Sequence, residues 1–259
     1  MFTVDSISIK YDQKNIVENV TFSVEKGEVI SIIGPNGSGK STLLKAISGT
    51  LPYHKGSVNL DGQSLKKMKS KQIARKMCML SQRNQAPSDM KVRDLITYGR
   101  LPHKRWFQSY NDHDRAIVDW ALEKTYLTEF QDRLIDSLSG GESQRAWIAM
   151  ALAQQPEVLL LDEPTTYLDI SHQHEVLELI QELNQQMDMT VLMVLHDLNQ
   201  ASFYSNRVIV IRSGTKDMIG TPKEVMTEDM IRRVYCMHCE IQCPSMESNP
   251  RIHLLRTAK

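Results

Sequence analysis

Polar and apolar residues alternate along two opening stretches, Phe2 to Tyr11 and Asn15 to Val24, and this period of two predicts strands. Val29-Ile30-Ser31-Ile32-Ile33 is a short apolar run ending at Gly34, as in a strand buried on both faces. From Ser41 to Ser48 the spacing turns helical, with Leu44 and Ile47 three apart. Val58 to Leu60 before Asp61-Gly62 predicts a short strand and turn, and Met77 to Leu80 another strand. The stretch from about Lys91 to Gln154 reads as mainly helical, with 3.6-residue periods over Arg115 to Leu127 and Gly141 to Gln154. Strand runs return at Val158 to Leu161, Val191 to Leu195 and Val208 to Ile211, with helical patterns at Gln173 to Met187 and Leu198 to Tyr204 between them. The alternation predicts an α/β protein: a mainly parallel sheet covered by helices, with a helical lobe inserted midway. Beyond Gly214 the chain reads as a short tail of strand, turn and helix.

Composition narrows this only a little. In 259 residues, 31 Lys and Arg meet 31 Asp and Glu, so zero net charge gives no global case for nucleic-acid binding. At 41% hydrophobic and 24% charged, the chain is neither disordered nor collagen-like. Its apolar runs fall far short of the roughly 18 residues that span a bilayer. Met1 to Lys10 lacks the apolar core of a signal peptide, and four cysteines imply no disulfide framework, which fits a reducing cytoplasm.

The motifs carry more. Gly34-Pro35-Asn36-Gly37-Ser38-Gly39-Lys40-Ser41, followed by Thr42, fits G-x-x-x-x-G-K-[ST] between a predicted strand and helix. The glycines let backbone N–H groups turn inward around phosphate oxygens, toward which the helix points its positive end. Lys40 would neutralise the β- and γ-phosphates of ATP, and the Ser41 hydroxyl would ligate Mg²⁺. Val158 to Leu161 ends in Asp162-Glu163: Asp162 can hold Mg²⁺, and Glu163 can polarise the water that attacks the γ-phosphate. Leu138-Ser139-Gly140-Gly141-Glu142 introduces a helix. Ser139 with Glu142 three residues later is a capping box, but a capping box does not ask for two glycines, which would let a helix start approach a phosphate.

These residues together resemble the nucleotide-binding subunits of ATP-binding-cassette (ABC) transporters, over about residues 2 to 215. The resemblance implies a RecA-like P-loop NTPase core (residues 1–85 and 155–215) with an antiparallel β subdomain, an inserted helical signature lobe (86–154) and a C-terminal extension (216–259). It implies that Gln82 touches Mg²⁺ and the attacking water, that His196 contacts the γ-phosphate, that Asp169 lies at the subunit boundary, and that Tyr11 stacks on adenine. It further implies a homodimer, in which Ser139, Gly140, Gly141 and Glu142 of one subunit cover the ATP held by the other. Leu161 to Gln173, Met193 to Ala201, Trp147 to Gln154 and Tyr98 to His103 resemble the importer ATPases for ferric siderophores, ferric dicitrate, haem and cobalamin. Ferric-siderophore import is the expectation, at the cytoplasmic face of the membrane, with a permease dimer as direct partner and a substrate-binding protein as indirect one. A soluble ABC ATPase acting on ribosomes or DNA, or an exporter motor, would usually pair two cassettes or fuse to membrane spans.

Two local features stand apart. Between Ser64 and Arg105, twelve Lys or Arg face two acids, Asp89 and Asp94, and Arg83, Lys91, Arg93 and Arg100 are expected to bind an acidic loop of the permease. Near the end, Cys236, His238, Cys239 and Cys243 form a candidate Cys₃His zinc site. On a helix the three cysteines would share a face; on a strand Cys236 and Cys239 would point oppositely.

Overall fold

The computed structural model describes residues 1–12, 14–105, 108–243, 245, 248 and 249–258. The chain divides into two compact units: residues 1–67 with 190–259, and residues 68–189.

The first unit opens with β1 (Phe2–Tyr11) and β2 (Lys14–Val24), then β3 (Val29–Ile33), α1 (Lys40–Ile47), β4 (Lys55–Leu60) and β5 (Gln63–Ser64). These strands, β3 apart, form an antiparallel sheet in the order β2-β1-β4-β5. The apolar pattern slips phase by one residue, from Phe2 and Val4 to Ile7 and Ile9, and from Val17 to Val20, Phe22 and Val24. All of these side chains are nevertheless buried. Register breaks in β1 and β2 account for the slip: Ser6 and Asn19 sit at φ of 51° and 49°, re-aiming the strands so that both halves face the core.

The second unit holds α2 (Ser70–Lys76), β6 (Met77–Leu80), α3 (Val92–Tyr98), α4 (Asp112–Lys124), α5 (Gly140–Ala153), β7 (Val158–Asp162) and α6 (Ile170–Met187). β6 and β7 pair in parallel, Leu80 opposite Leu161. Two of these helices, α4 and α6, begin at a side-chain cap ahead of where the apolar period starts. Asn111 accepts from the Asp114 N–H and starts α4 ahead of the expected Arg115; Asp169 accepts from the His172 N–H and starts α6 ahead of Gln173.

The chain then returns to the first unit through β8 (Thr190–Val194), α7 (Leu198–Tyr204), β9 (Arg207–Arg212), β10 (Thr215–Gly220), α8 (Pro222–Val225), α9 (Glu228–Tyr235), β11 (Met237–Gln242) and β12 (Arg251–Thr257). β3 lies between β8 and β9, parallel to both, and every residue of β3 and β8 is buried. The continuous apolar runs are therefore strands covered on both faces. β11 and β12 make a separate antiparallel hairpin, so the tail contains more strand than its weak alternation predicts.

In the second unit, Asp114 gathers two cations. Arg100 donates to it from Nε at 3.1 Å, and Lys104 also bonds its carboxylate; all three side chains are buried. Burial pushes the Asp114 carboxyl up, but the Lys104 ammonium, the Asn111 N–H and the Arg100 guanidinium outweigh it and bring the pKa down to about 2. A depressed carboxylate stabilises the folded chain above its unfolded value of 3.8, and the contribution is lost as pH falls toward about 2. Asp114→Ala leaves two buried cations unpaired and is expected to lower the unfolding free energy by about 3–5 kcal/mol in denaturant titrations at pH 7. Its stability difference from wild type should shrink steadily below pH about 4.

Candidate active site

In the first unit, β3 ends at Ile33 and the chain turns through Gly34 to Gly39 into α1. Gly34 and Gly39 adopt φ of +150° and +99°. A Cβ at Gly34 would fall 2.0 Å from the Ile211 carbonyl oxygen, and one at Gly39 2.8 Å from that of Ile16. Only glycine lets this loop lie so close to β9 and β2. The buried Lys40 ammonium folds back over the loop, donating to the carbonyls of Gly34 at 2.8 Å and Pro35 at 3.0 Å. The Ser38 hydroxyl is buried and has no hydrogen-bond partner among the described residues. A glycine cradle, a lysine above it and an orphaned hydroxyl beside it fit a polyphosphate. Asn36 and Gly37 complete the turn; Ser41 and Thr42 lie half-buried in the first turn of α1.

His196 follows β8, the strand beside β3, and the Leu195 N–H donates to the Ile32 carbonyl at 3.2 Å. Loop and histidine thus leave the same carboxyl ends of neighbouring parallel strands, the usual place for a ligand in an α/β sheet. Tyr11 ends β1 and is 48% exposed.

In the second unit, the β6–β7 register brings Gln82 and Glu163 out side by side. The Gln82 amide donates to the Glu163 carboxylate, and the Thr166 hydroxyl donates to the same oxygen at 3.0 Å. Glu163 lies at φ 55°, a left-handed conformation that non-glycine residues rarely adopt and that here aims a carboxylate. Asp162, one residue earlier, is buried at the strand end.

Ser139 caps α5 as the capping-box pattern requires: its N–H donates to Glu142 Oε2 at 2.7 Å and its hydroxyl accepts from the Glu142 N–H at 3.3 Å. The Ser139 N–H and hydroxyl hold the Glu142 carboxyl below its usual value. Ser139 and Gly140 are exposed at the helix start, whereas Gly141 is buried. A Cβ on Gly141 would lie 2.5 Å from the ring of His172, so the second glycine has a packing reason that its sequence context did not reveal. The same imidazole bonds Asp169 through Nδ1 at 2.8 Å. Bonds from the His172 N–H, the Ser171 hydroxyl and the His172 ring bring the Asp169 carboxyl down to about 2. His172 therefore joins the start of the signature helix to Asp169. No single-residue pattern in the sequence marks it, because its partner Gly141 is thirty-one positions away.

The basic stretch behaves differently from expectation. Arg100 is 3% exposed and spends its guanidinium on Asp114, the Ala153 carbonyl and Gln155, so it presents nothing to a permease. Arg93 pairs with Asp119 and Lys91 with Asp132. Much of the local positive excess is thus balanced by acids that lie outside the stretch. The zinc reading also fails. Residues 237–242 form a strand on which Cys239 is buried while His238 is exposed, Cys236 and Cys243 are exposed, and no group of three or more His, Cys, Asp or Glu among the described residues is placed to hold a metal ion.

A glycine loop between a buried parallel strand and a helix, roofed by a lysine, defines a P-loop nucleotide-binding protein. The profile described as "ABC transporter" matches residues 17–166, which include the loop, Gln82, the signature and Asp162-Glu163. The chain is similar to the iron(3+)-hydroxamate import ATP-binding protein FhuC of Bacillus subtilis, with 46% identity over 96% of this chain and 92% of that protein. Among solved structures it resembles an ABC transporter described as being of metal-chelate type, in an inward-facing conformation, with a TM-score of 0.85 and 26% identity over 98% of this chain and 96% of that one. It also resembles the dimeric cassette MJ0796 in a post-hydrolysis state bound to ADP and Pi, with a TM-score of 0.74 and 26% identity over 85% and 98% of the two chains. The chain belongs to the ABC transporter family, as an ATPase with the expected α/β P-loop fold.

The Gly141–His172 contact is directly testable. Gly141→Ala is expected to destabilise the protein by about 1–3 kcal/mol through overpacking. His172→Ala in the same chain should recover most of that loss in thermal melts, whereas two independent losses would show that the contact is not the cause.

Proposed function

We propose that this chain is the ATP-hydrolysing subunit that energises import of a ferric siderophore or a similar iron complex through a partner membrane permease. The likeness to an iron(3+)-hydroxamate import subunit across nearly the whole chain carries this reading. Among the described residues no helix is long and apolar enough to cross a membrane, so the permease supplies the path. The subunit works at the cytoplasmic face, where a substrate-binding protein reaches it only through the permease.

In this reading the Gly34–Gly39 loop and Lys40 bind the triphosphate, the Ser38 hydroxyl gains a phosphate oxygen, and Tyr11 stacks on adenine. By the same resemblance Ser41, Asp162 and Gln82 are the residues that would hold Mg²⁺; their oxygen donors suit that ion, and it would supply charge neutralisation at the β- and γ-phosphates. The Glu163 carboxylate, oriented by Gln82 and Thr166, accepts the proton of the attacking water, and His196 donates to the γ-phosphate. Two copies assemble so that Ser139, Gly140, Gly141 and Glu142 of one cover the nucleotide of the other. The exposure of Ser139 and Gly140, with Tyr167 at 75% and Ile170 at 76% beside Asp169, supports a face that meets a partner. Hydrolysis removes the shared γ-phosphate, loosens the grip and resets the permease. Lys91 and Arg93, whose ion pairs are partly exposed and easily exchanged, remain with Arg83 as contacts for an acidic permease loop.

The test is uptake of a labelled ferric siderophore by proteoliposomes holding the permease and this subunit, with ATP enclosed. Uptake should require ATP; intact uptake by Glu163→Gln would overturn the assignment. In the same preparation Glu163→Gln is expected to lower ATP turnover by about a hundredfold or more while leaving ATP affinity nearly unchanged.

A further inference from the structure

The tail from α9 to β12 is the part that the catalytic reading leaves unused, yet its bonds run to α7, the helix that follows His196 in its own unit. Asn199 in α7 makes a reciprocal pair with β12. Its amide donates to the Ile252 carbonyl at 3.0 Å, and its carbonyl oxygen accepts from the Ile252 N–H at 2.7 Å. One side chain thus takes the place of a neighbouring strand along the open edge of the hairpin. Ser202, also in α7 and buried, donates to the Pro250 carbonyl at 2.7 Å, and Asn249 donates to the Ser202 carbonyl at 2.7 Å. α7 itself begins at Asp197, which accepts from the Gln200 N–H at 2.9 Å directly after His196. The histidine therefore sits on a short tether between β8 and a helix that the tail pins at four hydrogen bonds.

We infer that the C-terminal extension is a clamp on α7, with Asn199 positioning the His196 tether. This rests on the reading of His196 as the group that senses the γ-phosphate. Asn199 does not touch the reacting atoms; it acts through the backbone it holds. The histidine meets the γ-phosphate as it leaves, so loosening its tether slows turnover while ground-state binding by the loop is unaffected.

The experiment uses the full chain, with Mg-ATP affinity and binding stoichiometry from a fluorescent ATP analogue, and turnover expressed per binding-competent subunit. Asn199→Leu, similar in shape but without amide groups, is expected to reduce kcat about tenfold or more with ATP affinity unchanged, through freedom of a catalytic group. A tail that is merely structural would lower melting temperature and binding stoichiometry while leaving kcat per binding-competent subunit unchanged, and that result would overturn the clamp. Unchanged kcat in Asn199→Leu while Lys40→Ala abolishes binding would also overturn it, yet leave the nucleotide site intact. Failure of the wild-type chain to bind Mg-ATP would instead defeat the underlying reading.

Discussion

A triphosphate carries more negative charge than any one side chain neutralises, so a protein that grips it must turn several backbone N–H groups toward the same point. In the proposed reading that demand falls on Gly34 and Gly39, whose positive φ and lack of Cβ let the loop pass against the carbonyls of Ile211 and Ile16. The rest of the first unit follows from it. β3 needs buried neighbours, β8 and β9, to bring the loop to a rigid strand end, and Lys40 needs the first turn of α1 to reach back over Gly34 and Pro35. In the second unit the constraint is different: a carboxylate has to be held in one orientation, and the left-handed backbone of Glu163 with its bonds from Gln82 and Thr166 achieves that.

Much of this was legible because the chemistry sits in contiguous residues. A phosphate loop, an acidic strand end and a capped glycine-rich helix start each need neighbours in sequence, and each is found where its pattern put it. The strand runs at Val29–Ile33, Met77–Leu80 and Val158–Leu161 were equally clear, since a buried parallel strand leaves little room for polar residues. Three things were hidden, all because they depend on residues far apart along the chain. The charge of Arg100 looks free until Asp114 and the Ala153 carbonyl are folded around it. The reason for Gly141 is the ring of His172. The hairpin of β11 and β12 has only weak alternation of its own, and Asn199 supplies part of its second edge.

The tail also shows how a cysteine-rich segment is misread. Strand geometry turns Cys239 into the core, where burial raises its thiol pKa, while Cys236 caps α9 in a left-handed turn and Cys243 lies beyond β11. Three thiols close in sequence are thus sent to different surroundings, and Cys239 is best understood as a small apolar packing residue.

The central claim is that two identical chains clasp nucleotide at their shared face. The most direct measurement is the solution mass of the full chain by light scattering, with magnesium and a non-hydrolysable ATP analogue. The account predicts that the 29.6 kDa chain doubles its mass with the analogue and returns to a single chain with ADP. A single-chain mass at saturating analogue, alone and with the permease present, would contradict it.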